Sequence, residues 1–406
     1  MLRKICGLLI VSGCFVLTLF ADTAGELERL KARIAALEAK QAESKEPVKI
    51  PTFLQGLEFT AGATFVAQGT DNVNGGAART RDSRFDASYS SDIGLSKEFS
   101  DIGGLAFIEL ETGEGEGLED NLSLFSGVNA DSNNAGRVEL AQAGYSQKMF
   151  SDKLALTFGK LDPTGTFDGN EAANDETAQF LAPMFVNNPA IEFPDNGAGI
   201  TAVYSPFDKI ELSYGIFDGN SDWEKACDNL FNIGQVGLKT SLFDKDGNYR
   251  FIVWHSNTNH TKWLDTTKEK EAAYGFAVSF DQKLTDDLTM FSRYGWQNPK
   301  VYVADNGYSL EHAWSLGLQL TGSKWGRNSD ALGFAFGQNV ASDDYKDVSA
   351  VRADVENHFE LYYKVTVNEH LAITPDLQYI INPFGSDAAA NDNDVFIGGL
   401  RAQVDF

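Results

Sequence analysis

From Leu57 onward the apolar residues of this chain recur at every second position, and the links between the alternating segments are by turns long and short. A period of two belongs to a strand whose two faces meet different surroundings. It is plain in Leu57, Phe59, Ala61, Ala63 and Phe65, separated by Glu58, Thr60, Gly62 and Thr64. It returns in Tyr274 to Phe280, Trp314 to Leu320, Phe359 to Val367 and Leu371 to Ile381. A soluble sandwich alternates too, so the links decide. Residues 100–103, 150–153, 205–208, 244–247, 285–287 and 368–370 are short links carrying turn-forming Ser, Asp, Gly, Asn or Pro. Between them lie long links near 69–85, 113–135, 162–196, 218–230, 258–270, 298–311, 340–355 and 382–393. Tight turns at one rim and long loops at the other are the habit of outer-membrane barrels. The pattern predicts an all-β fold, a 16-stranded antiparallel transmembrane β-barrel with both ends on the periplasmic side. Parity between Val138 and Gln147 reads either way.

The last strand sharpens this. Phe396, Gly398, Leu400, Ala402, Val404 and Phe406 share one face, and Arg401, Gln403 and Asp405 the other. The two phenylalanines are ten residues apart, which at about 3.3 Å per residue and a tilt near 45° spans roughly 23 Å. An apolar band of about 25 Å flanked by aromatic girdles is what a lipid-embedded strand needs. An alternating strand closed by Phe406 also reads as an assembly signal for the barrel assembly machinery.

The first residues differ. Arg3 and Lys4 precede an apolar run from Ile5 to Phe20, the layout of a secretory signal peptide over residues 1–21. Val11-Ser12-Gly13-Cys14 resembles a lipobox, but the mostly apolar residues after Cys14 place it within that run. Only Cys227 remains beyond the signal, so no intramolecular disulfide holds the exported chain. In residues 22–52 we expect a periplasmic helix and linker. Leu27, Leu30, Ile34 and Leu37 fall at a and d positions of a short coiled coil, which motivates a homotrimer. The other reading is one amphipathic helix, since two heptads are marginal alone. The barrel would occupy 53–406.

Net charge is -25, and residues 162–208 contain no Lys or Arg, which excludes nucleic acid as a partner. The five histidines, His255, His260, His312, His358 and His370, show no metal-ligand spacing, and no catalytic set stands out, so neither an enzyme nor a metal or cofactor is expected.

Leu371 to Phe406, LAITPDLQYIINPFGSDAAANDNDVFIGGLRAQVDF, resembles the C-terminus of the carbohydrate-selective porin family. Gly159-Lys160-Leu161-Asp162, and Asn196 to Ile200 leading into Tyr204-Ser205-Pro206, are similar to that family as well. The resemblance implies a passive outer-membrane channel preferring sugars. It transfers no constriction residues.

Sixteen strands enclose a lumen too wide for side chains to fill, so selectivity falls to inward loops and charged wall residues. The third long link is the candidate constriction, with Asp162, Asp168, Glu171, Asp175 and Glu176 followed by Glu192 and Asp195. The alternative is a solvated external loop. By parity Arg250, Arg293, Lys364 and Arg401, on barrel strands nine, eleven, fourteen and sixteen, point inward. Opposite the acidic loop they would set up a transverse field, with Trp254, Phe291 and Tyr362 as stacking surfaces for sugar rings. The function classes open at this point are a sugar-preferring channel, a cation-preferring general porin, and an adhesive barrel tethering the envelope. Membrane lipid and small sugars or ions would be the partners of the first two.

Overall fold

The alternating segments are strands, and each pairs with its sequence neighbours antiparallel. A computed structural model describes Arg29, Arg33 and residues 56–406 other than 75–82, 226, 243, 304–307, 350–351 and 387–393. The expected signal peptide and the heptad residues Leu27, Leu30, Ile34 and Leu37 lie outside the described residues. The strands of the unit Gly56–Phe406 begin with β1 (Leu57–Thr70), β2 (Arg84–Phe99), β3 (Gly104–Glu114), β4 (Glu139–Met149), β5 (Leu154–Leu161) and β6 (Gly197–Phe207). There follow β7 (Ile210–Asp218), β8 (Leu230–Leu242), β9 (Lys245–Lys262), β10 (Glu271–Lys283), β11 (Leu288–Gln297) and β12 (Val301–Val303). The last are β13 (Leu310–Thr321), β14 (Ala331–Ala341), β15 (Glu356–Asn368), β16 (Leu371–Ile381) and β17 (Val395–Asp405).

These 17 strands form one sheet, closed where β1 meets β17 from Gly62↔Asp405 to Thr70↔Ile397. The three-residue β12 belongs to a long loop and only extends the end of β9, while β11 pairs directly with β13. Sixteen strands therefore close the barrel, as the link pattern predicts. Closure removes every sheet edge, which is what lets strands stand in hydrocarbon. The ambiguous parity of residues 138–147 has a physical cause. Glu109 faces Gln142 while Leu110 faces Leu140, so Ala141 is an extra residue, a β-bulge that switches the faces of β4 midway.

The two faces divide as lipid and water require. Phe59, Phe65, Phe334, Leu377 and Phe396 stand exposed on the outer wall. Such a continuous apolar surface would be a liability in water and suits a lipid environment. Thr64, Gln68, Ser88, Ser90, Gln235 and Ser279 are buried on the inner wall.

Candidate functional site

Two long loops fill much of the lumen. Loop 3, residues 162–196, leaves β5, lies against the inner wall and carries one short helix, α1 (Pro183–Val186), before it returns to β6. Loop 2, residues 115–138, folds in beside it. Its inward course follows from apolar residues that cannot face water: Leu118 and Val128 are fully buried and pack with Ile380, Val395 and Ile397 of the wall. The loops also bond to each other, since Ala130 N donates to Leu181 O at 2.8 Å and Met184 N to Ser126 O at 3.3 Å.

Inward side chains of the wall hold both loops by their backbones. Glu360 accepts hydrogen bonds from Leu181 N and, at 3.0 Å, Ala182 N; Glu356 takes Phe125 N at 2.9 Å and Phe384 N at 2.7 Å. Gln68 and Gln378, from strands on either side of β17, both donate to Val128 O, at 2.9 and 3.0 Å. A buried carboxylate receiving backbone N–H groups satisfies loop donors that would otherwise be orphaned.

The basic wall residues are largely part of this scaffold. Arg293 is 1% exposed and lies 3.1 Å from Asp168, itself wholly buried. It also donates to Phe185 O at 2.7 Å, Asp168 O at 2.9 Å and Asn174 Oδ1 at 3.1 Å. Burial pushes the Asp168 carboxyl up while the Arg293 guanidinium pulls it back down. Arg401, also buried, donates to Gln179 O at 2.8 Å and to Glu176 O. Arg250 is paired with Asp281 at 2.8 Å beside a recess that Glu171 also lines. The Lys364 side chain forms no hydrogen bond or ion pair among the described residues.

A field from four bare cations across an open lumen is therefore not what these residues build: Arg293 and Arg401 lie under the loop and are spent on its carbonyls. The expected stacking surfaces are likewise covered. Trp254, Phe291 and Tyr362 are at most 3% exposed. Phe291 and Tyr362 pack with Phe180 and Phe185 of loop 3, and Trp254 Nε1 donates to Ala190 O at 3.1 Å. Parity was enough to turn these side chains inward but carries no information about what lies over them. Gly317 and Gly333 sit where a Cβ would collide with Phe291 and Tyr362, so their absence of a side chain lets the two rings lie in place.

Space between the loops and the wall remains beside β2, β3 and β4. It includes a cavity of about 410 Å³ whose carboxylates are Asp92, Glu109 and Glu111 from the wall and Asp131, Asp162 and Glu176 from the loops; no Lys or Arg lines it. Sequence reasoning missed the three wall acids and Asp131. Adjacent-strand pairing of Asp92 with Glu111, both inward, was the available signal. Asp131 takes a hydrogen bond from Ser90 Oγ at 2.9 Å. Burial, together with neighbouring carboxylates, pushes Asp131 and Glu176 each up to about 7. Of the other expected loop acids, Asp162 is tied to Thr164 Oγ1, and Asp175 is exposed and caps Thr177 N at 2.9 Å.

The description carbohydrate-selective porin, OprB family, matches residues 103–406. Among solved structures, OprB of Pseudomonas putida has a TM-score of 0.73 at 18% identity, covering 87% of this chain and 96% of that one. The outer-membrane channel DcaP of Acinetobacter baumannii has a TM-score of 0.54 at 12% identity, covering 86% and 97%. Among curated relatives, Porin AaxA of Chlamydia abortus is 24% identical over 251 residues, 60% of this chain and 53% of that protein. An uncharacterized protein of Aquifex aeolicus is 28% identical over 250 residues, 62% of this chain and 66% of that protein. The matched region thus spans less than two thirds of these relatives' own length. The structural likenesses establish the fold.

Proposed function

The chain belongs to the carbohydrate-selective porin family, OprB, and on that premise we propose that it is a passive outer-membrane pore for small hydrophilic solutes. One observation supports this reading most: the loops leave a cavity beside β2, β3 and β4 whose charged lining is wholly acidic. Six carboxylates without a cation favour neutral and cationic solutes over anions, because a like charge entering a confined low-dielectric passage is repelled. Sugars, the solutes in the family's name, are neutral and fit. The cation-preferring reading is favoured within this scheme by Asp92, Glu109 and Glu111, which place acid on the wall as well as on the loops.

The same proposal extends to residues outside the barrel's geometry. Residues 1–21 act as the signal peptide, 22–52 as a periplasmic coiled coil and linker, and Leu27, Leu30, Ile34 and Leu37 help to hold a homotrimer. The strand ending at Phe406, which is exposed on the outer face, serves as the assembly signal. Liposome swelling tests the central part: a neutral sugar and a cationic amino acid of similar size should enter faster than an anionic one. Equal rates for all three would contradict the charge preference, and no swelling would contradict the pore.

A further inference from the structure

The cavity of about 410 Å³ beside β2, β3 and β4 is an acidic chamber with no counter-charge of its own. Those of its carboxylates that accept hydrogen bonds do so from neutral groups. Glu109 accepts from Gln142 Nε2 at 2.7 Å, Glu111 from Asn133 Nδ2, Asp131 from Ser90 Oγ at 2.9 Å and Asp162 from Thr164 Oγ1 at 2.8 Å. Arg401 is the cation nearest in effect to Asp131, and its guanidinium is spent on the carbonyls of Glu176 and Gln179. Asp131 is 8% exposed and lines the chamber, and its Oδ2 has no hydrogen-bond partner. A buried carboxylate oxygen left bare is costly, and a ligand cation that reaches it recovers that cost. Burial first, and then neighbouring carboxylates, push Asp131 and Glu176 up to about 7; a cation seated among them would relieve the second cause.

The arrangement of the acids narrows which cation fits. They form two sets, Asp92, Glu109 and Glu111 on the wall and Asp131, Asp162 and Glu176 on the loops, with the cavity between them. Among the described residues no three acidic, histidine or cysteine side chains converge to hold one metal ion, so a compact ion cannot gather them. The charge that fits is itself divided: an aliphatic chain with an ammonium at each end. Ala130 and Ala141 of the lining offer the methylenes apolar contact. Pro183 and Val186 add to it from an adjoining recess of about 310 Å³ that shares Asp162 and Glu176 with the chamber. Joining two ammonium groups makes the second contact intramolecular, so the pair binds more tightly than two separate amines. A cationic amino acid also carries a carboxylate, which the chamber repels.

Resting on the pore reading above, we propose that the acidic chamber is a binding site for an aliphatic diamine, one ammonium on the wall set and the other on the loop set. The bound diamine obstructs the pore, because a ligand held at both ends leaves more slowly than a singly held ion passes. The chamber is then a point of control as well as a filter: solute flux falls when such amines are present.

The test is single-channel recording of the full chain in planar bilayers, with 1,4-diaminobutane, butylamine or Mg²⁺ added stepwise. The diamine should block with saturation, at a half-blocking concentration about tenfold below those of butylamine and Mg²⁺. Asp131→Asn and Glu111→Gln, one from each set, should each raise the diamine's half-blocking concentration about tenfold, which corresponds to about 1.4 kcal/mol. Glu176→Gln and Asp92→Asn provide a second pair should either variant fail to insert. Block unchanged in these variants, or a diamine no more potent than butylamine or Mg²⁺, would overturn the site while leaving the pore intact. A wild-type channel that does not conduct would overturn both.

Discussion

Replacing Arg293 by Met should loosen loop 3 without unfolding the barrel. Arg293 and Asp168 are at most 1% exposed, and the guanidinium also holds three loop oxygens. Methionine keeps the length and the apolar stem but leaves a buried carboxylate with no counter-charge. Breaking a buried pair in this way costs about 3–5 kcal/mol. At tenfold per 1.4 kcal/mol, that shifts the balance between seated and lifted loop by a factor of roughly 140 to 3,700. The strand ladders are untouched, so the cost falls on the loop. In bilayers the variant should conduct more and admit larger poly(ethylene glycol) molecules than the wild type. The sign of its pH dependence follows from Asp168, whose carboxyl is already pushed up by burial. Without Arg293 it is pushed further, so the loop stays seated while Asp168 is protonated at low pH and lifts as pH rises and the carboxylate forms. Adding Asp168→Asn should restore much of the wild-type conductance, because the two substitutions share one interaction. Equal conductance and equal size cut-off in Arg293→Met and wild type across pH would refute the role of this pair as the seat of the loop.

The chamber's charge should titrate near neutrality. Asp131 and Glu176 stand at about 7, so cation preference should be largest above that pH and fall as both protonate toward pH 5. Asp131→Asn with Glu176→Gln should give a lower and flatter profile of reversal potential against pH, and an unchanged profile would show that other groups set it. Deleting residues 26–41 should weaken the oligomer on native gels; an unchanged oligomer would mean that barrel contacts alone hold it.

The architecture was legible because each strand must alternate to meet lipid on one side and water on the other. The period of two and the long and short links therefore carry the strand number, the direction of each face and the closure. The one ambiguous stretch, in β4, is where the bulge at Ala141 breaks the rule locally. The site was less legible, since a parity argument ends at the wall. Arg293, Arg401, Phe291 and Tyr362 do face inward, yet their environment is decided by residues more than a hundred positions away in loop 3. Loop 2 carried a signal that periodicity alone passes over: Leu118, Leu122, Phe125 and Val128 are too apolar for a loop left in water. The wall acids Asp92, Glu109 and Glu111 became significant only once the basic side of the lumen was known to be covered.

The central claim is an open passage whose lining is acidic and without a compensating cation. Its most direct test is the reversal potential of single wild-type channels held in a tenfold KCl gradient at pH 8. The account predicts conducting channels with a potential of the sign that marks preference for K⁺, reduced when Asp92, Glu109 and Glu111 are replaced together by their amides. A potential near zero or of the opposite sign would contradict the acid-lined passage, and channels that do not conduct would contradict the pore itself.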